Sequence, residues 1–237
     1  MFFYDYHYLL FILPGLALSL WASWRTRSAF DKYSRVRTAR GLTGAQAAQI
    51  MLQAAGIGDV RVVATAGKLT DHYNPLNKQL ALSEGVFGST SIAAVGVACH
   101  EAGHAVQHAR SYKPLWLRSA LVPTANIGSS VGYLVMFLGL LLMRGGQLLG
   151  QEMVMFGALL FSAVLLFQIV TLPVEFDASA RAKRLAVEQG IVMPQERVGM
   201  DRVLNAAALT YVAAVVSTLL TLMYYLMRAG LLGSRRS

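Results

Sequence analysis

Long uncharged apolar runs alternate with polar segments along this chain, and the runs are too long for ordinary core strands. Four stand out, at residues 8–24, 127–143, 153–172 and 204–227. Crossing a hydrocarbon core of about 30 Å takes roughly 20 apolar residues at 1.5 Å each. The third and fourth runs meet that length; the first two fall a little short but hold no charge. The first contains Pro14 and is followed at once by Arg25 and Arg27. Only residues 144–152 separate the second run from the third, which predicts a transmembrane hairpin.

Between the runs the pattern changes to short, mixed elements. Thr43-Gly44-Ala45-Gln46 has capping-box spacing and predicts a helix from there to a stop at Gly56. Residues 60–65 are β-branched and predict a strand. Residues 69–73 and 79–82 flank Asn74-Pro75-Leu76-Asn77, a turn composition, and predict a hairpin. Ser89, Thr90 and Ser91 offer N-caps for an apolar helix from Ile92 to about Ala109. The expected fold class is a mainly α membrane protein, with about four transmembrane helices and a small α+β domain between them.

Composition agrees with the spans. Of the 237 residues, 55% are apolar and only 14% charged, with mean hydropathy +0.49. Soluble domains carry about 25% charged residues. The single Cys99 excludes an intrachain disulfide. A net charge of +9 in so apolar a chain marks membrane flanks rather than nucleic-acid binding. Residues 25–118 hold 12 of the 21 Lys and Arg, and residues 173–203 hold 5 more. The positive-inside rule makes that side cytoplasmic. Arg228, Arg235 and Arg236 in the tail run against the count. The first residues carry Asp5 and no Lys or Arg, unlike a signal peptide, so the first run reads as an uncleaved anchor. The expected organisation is a span at 8–24, a cytoplasmic domain at 25–120, spans at 127–143 and 153–172, a cytoplasmic segment at 173–203 and a span at 204–227.

The candidate chemistry lies on the helix ending near Ala109. His100-Glu101-Ala102-Gly103-His104 is HExxH. Residues four apart on a helix lie on one face, so two imidazoles can converge on one zinc ion and leave Glu101 beside it as a base. A third ligand is needed. His108 stands about 12 Å along the axis from His100 on a straight helix, too far to join it. No glycine between His104 and His108 allows a bend, so His108 is expected to support a neighbour or to pack. Glu175 is the better candidate, since it follows the third run directly and the hairpin returns it to the side of the HExxH helix. Pro173 is expected to end the span or to open the next helix. Asp177 would point about 200° from Glu175, so only one of them can face the metal.

His100–His104 followed by Glu175-Phe176-Asp177-Ala178 resembles the membrane gluzincin pattern of HtpX-type and CAAX-prenyl-type proteases. The chain is most similar to the YugP-like family of neutral zinc metallopeptidases. That resemblance runs through Thr43–Ala45, Gly56-Ile57, Leu69–Tyr73, His100–Gln107, residues 172–182 and Leu209–Val212. It implies that His100, His104 and Glu175 bind one catalytic zinc and that Glu101 is the base. Ser179 departs from the wider pattern, because HtpX-type proteins carry a supporting Asp there.

The function expected is a multi-pass cell-membrane zinc endopeptidase with its site at the cytoplasmic interface. It would hydrolyse peptide bonds by Glu-assisted attack of zinc-activated water. Partners are protein or peptide substrates, membrane proteins among them, and the lipid bilayer, with no nucleic acid. His72, Tyr73 and Tyr211 are further candidates for stabilising the oxyanion, and the hairpin at 71–73 for offering an edge strand to substrate. The alternative is an inactive zinc-containing membrane binding or assembly factor, against which Glu101 argues, since a structural zinc needs no base. A zinc transporter would want ligands inside the spans. The second and third runs offer only Ser129, Ser130, Ser162, Gln168 and Thr171.

Overall fold

The computed structural model describes residues 6–144 and 148–232. Asp5, the centre of the expected 144–152 turn and the tail arginines Arg235 and Arg236 lie outside the described residues. The helices are α1 (Tyr6–Tyr33), α2 (Gly44–Ala54), α3 (Glu84–Phe87), α4 (Ile92–Ala109), α5 (Lys113–Ile127), α6 (Tyr133–Arg144), α7 (Leu148–Glu188) and α8 (Arg197–Arg228). The strands are β1 (Arg61–Thr65), β2 (His72–Asn74) and β3 (Gln79–Ser83). Among the described residues, four helical stretches are long and apolar enough to cross a membrane: α1, Lys113–Met143, α7 and α8. At most 28% of any of their apolar windows is buried against protein, the exposure that lipid-facing helices require.

The helices outrun the apolar runs that announce them. The second begins at Lys113 rather than at 127, continuing through Pro123 and a π-helical turn, Gly128–Gly132, into α6. Pro173 neither ends the helix nor opens a new one, because α7 runs through it to Glu188. A proline removes one backbone donor, and packing offsets that loss here. Val174, Ala178, Ala182 and Ala186 are all 0% exposed. At spacing four they form one buried stripe that keeps the helix in register.

The chain forms two compact units. The apolar one contains residues 6–21, 117–171 and 211–232 among those described. Its core holds Met136, Leu140, Val154, Phe161, Tyr224 and Tyr225. In the α6–α7 hairpin, a Cβ on Gly139 would stand 2.7 Å from the Gly150 carbonyl. Small residues of this kind let membrane helices approach closely.

The mixed unit contains residues 22–116 and 172–210. Thr43 and Gln46 cap α2 reciprocally, as their spacing predicts. Gly56 follows α2 with φ +74°, a left-handed stop suited to glycine. The sheet order is β1-β3-β2, with β3 parallel to β1 and antiparallel to β2. The expected hairpin is present, and β2 is an edge strand. Met51 and Leu52 of α2, Leu80 and Leu82 of β3, Val95, Ala98 and Ala102 of α4 and Ala182 and Ala186 of α7 share one core.

Close approach of α4 to the last third of α7 depends on Gly103. A Cβ there would sit 2.6 Å from the Ala178 carbonyl oxygen and 3.2 Å from its Cα, so backbone would have to move. Gly103→Ala is therefore expected to destabilise the protein by about 1–3 kcal/mol through overpacking. Gly88→Ala, with no atom within 4 Å of the new methyl, is expected to be neutral. Thermal unfolding in detergent checks both, and equal midpoints for the two variants would mean that the helices separate at Gly103 without cost.

Candidate metal centre

α4 is built to hold a buried polar face. The Ser91 hydroxyl accepts from the Ala94 amide and caps the helix. Alanine and glycine fill much of its length, which leaves room beside the large side chains. His100 and His104, one turn apart, lie with ring centroids 4.8 Å apart and planes at 81°.

Glu175 reaches the same point from α7. Its residue is only 3% exposed. One oxygen, Oε2, lies 3.2 Å from His100 Nε2 and 3.6 Å from His104 Nε2. The three side chains offer ligand atoms that all fall within 4.8 Å of one another. Two imidazole nitrogens and one carboxylate oxygen can hold a metal ion and suit zinc with an open fourth position. The opposite ring nitrogens are already engaged. His100 Nδ1 lies 3.1 Å from Ser179 Oγ, and His104 Nδ1 lies 3.0 Å from Gln107 Oε1. Both rings therefore turn Nε2 toward Glu175, a donor set that fits the ion.

Electrostatics accompany that geometry. Burial works against the imidazolium of His104, but the Glu175 carboxylate, the Glu101 charge and the Gln107 bond outweigh it and raise its pKa. Glu101 is half-buried on the same helix, and no hydrogen bond among the described residues holds its carboxylate. Burial pushes the neighbouring Cys99 thiol up to about 12. It stays protonated and is no thiolate ligand.

The remaining candidates from the sequence are placed elsewhere. His108 is exposed, and its Nδ1 lies 2.8 Å from the Tyr73 hydroxyl on β2. No hydrogen bond among the described residues ties that pair to the His100–His104–Glu175 cluster. His72 is exposed with Nδ1 2.8 Å from the Thr70 carbonyl. Tyr211 lies on α8 within the apolar unit. Asp177 does point away from the cluster's centre, toward Gln107 and Arg181.

Sequence reasoning passes over Gln107, which is 0% exposed and touches His104 directly. A signal for it exists. Gln107 stands at i+7 from His100 and i+3 from His104, on the face that the two histidines define, and a glutamine on an apolar helix face requires partners.

Residues 8–230 match a family model described as "Putative neutral zinc metallopeptidase". The chain is 44% identical over 216 residues to the "Putative membrane protease YugP" of Bacillus subtilis (strain 168), covering 91% of this chain and 93% of that protein. No solved structure matches.

Proposed function

The chain belongs to the neutral zinc metallopeptidase family, and we propose that it is a membrane-embedded zinc endopeptidase working at the cytoplasmic face. The observation that carries this reading is the convergence of His100, His104 and Glu175 within 4.8 Å, with Glu101 half-buried on the helix that carries the two histidines. His100 and His104 would hold one zinc through Nε2, and Glu175 through a carboxylate oxygen. When bound, zinc supplies Lewis acidity, polarising the scissile carbonyl and making the attacking water more acidic. Glu101 takes the proton from that water and delivers it to the departing amine, so a single carboxylate serves both halves of the reaction. Ser179 and Gln107 keep the two imidazoles in place during turnover.

Substrate is a protein or peptide in extended form. β2, as the sheet edge, offers unpaired backbone groups to a strand laid beside it. Support for the membrane interface comes from α7, where Glu175 follows the apolar run 153–172 by three residues on one unbroken helix. Support for the cytoplasmic side comes from the lysine and arginine distribution.

Three outcomes test this reading. Glu101→Gln should keep zinc and lose most cleavage of an unfolded protein substrate by the detergent-purified chain, since glutamine takes no proton. Equal cleavage by variant and parent removes the base. In Glu175→Ala, elemental analysis should find bound zinc steeply reduced, while His108→Ala stays near one zinc per chain. The reverse result would move the third ligand to His108. Reporter fusions after Lys68 and Glu188 should report cytoplasmic, and one inserted within residues 145–150 external. An external signal at Lys68 would place the site on the other side.

A further inference from the structure

His104 Nδ1 and Gln107 Oε1 are 3.0 Å apart, and the rest of the Gln107 amide decides which of them donates. Gln107 Nε2 lies 2.8 Å from the Val174 carbonyl oxygen and 2.8 Å from Asp177 Oδ2. A carbonyl oxygen only accepts. Asp177 Oδ2 also receives the Arg181 guanidinium, Nε at 2.6 Å, so it too presents lone pairs to the amide. Both amide hydrogens of Gln107 are thereby committed to acceptors. The opposite orientation of the amide would set oxygen against two oxygens inside a side chain that is 0% exposed, the arrangement that a buried network excludes. Gln107 Oε1 must then be an acceptor, and His104 Nδ1 must carry the proton that it accepts.

We propose that Gln107, oriented by Val174, Asp177 and Arg181, is a positioning residue that holds neutral His104 in its Nδ1–H tautomer, leaving the Nε2 lone pair facing Glu175. This rests on the reading of His104 as a metal ligand and adds the reason why its Nε2 is the donor atom. An imidazole free in water favours hydrogen on Nε2, so the preference must come from its partner. The chain of bonds runs His104–Gln107–Asp177–Arg181, and Arg181 ends it over the Tyr112 ring, 5.7 Å from the centroid. Each link joins α4 to α7 or follows a single turn of one of them. The same bonds that set the tautomer therefore also fix the spacing of the helix that carries Glu175.

The test uses the full-length protein in detergent, stripped of metal and isotopically labelled at histidine. Proton–nitrogen correlation spectra, recorded at a pH where the rings are neutral, report the tautomer of each histidine, and loss of signals in His104→Ala assigns that ring. In the parent, His104 should carry its proton on Nδ1. In Gln107→Leu it should move to Nε2, and the zinc dissociation constant from chelator competition should rise about 10- to 100-fold. The proposal is overturned by a parent His104 protonated on Nε2, or by a Gln107→Leu protein unchanged in tautomer and in zinc affinity. If Gln107→Leu does not fold, the parent spectrum decides alone, and an Nε2–H ring there overturns the proposal. The ligand reading is tested separately by His104→Ala: undiminished zinc binding would remove that reading while the tautomer result still stood on its spectra.

Discussion

A carboxylate buried to 3% exposure between two imidazoles is the constraint on which the mixed unit is organised. An ionised carboxylate taken out of water costs several kcal/mol unless charge and hydrogen bonds receive it. Glu175 is received by groups on another helix, far earlier in the chain. The cost is offset only if α4 and α7 stay within a narrow range of separation. A shift of one ångström would take Oε2 out of contact with His104, which already stands at 3.6 Å. Most of the surrounding sequence can be read as a means of holding that separation.

Small residues do much of it. Ala178, Ala182 and Ala186 of α7 are wholly buried, and Gly103 of α4 faces the Ala178 backbone directly. Leucines at these sites would give more apolar burial per residue but would push the helices apart and strand the carboxylate. The seam therefore gives up hydrophobic area for proximity. Bonds from Gln107 to Val174 and Asp177 then cross it at both sides of Glu175 in sequence, where alanine contacts alone would let the helices slide.

Much of this arrangement is legible in the sequence alone. The pair His100 and His104 follows from helical periodicity, and Glu175 follows from hairpin topology together with the cost of a carboxylate at an apolar boundary. The capping box at Thr43 and the turn at Asn74 are local chemistry, and local chemistry decides those elements. Helix ends are not legible in the same way. Pro173 reads as a break, yet it lies inside α7, because long-range packing outweighs one missing donor. Charged ends such as Arg25 and Lys113 likewise fall outside hydropathy windows while continuing the helix. Gln107 escapes because a single glutamine carries no motif; its meaning depends on Val174 and Asp177, which sequence alone does not bring near.

Charge balance explains why the groups bonded to both imidazoles are neutral. A dication held at the cluster would be balanced by two carboxylates, Glu175 among the candidate ligands and Glu101 beside them. An aspartate bonded directly to either ring would add a third negative charge at short range, which strengthens metal binding but weakens Lewis acidity and with it the activation of water. Here His100 meets the hydroxyl of Ser179 and His104 meets the amide of Gln107. A further carboxylate, Asp177, is set one amide away from His104 and is paired with Arg181. Its charge orients Gln107 and does not act on the ring directly. The serine at 179, where HtpX-type proteins carry aspartate, is then consistent with this scheme: orientation comes from hydrogen bonds, and the charge balance at the cluster is left to Glu101 and Glu175.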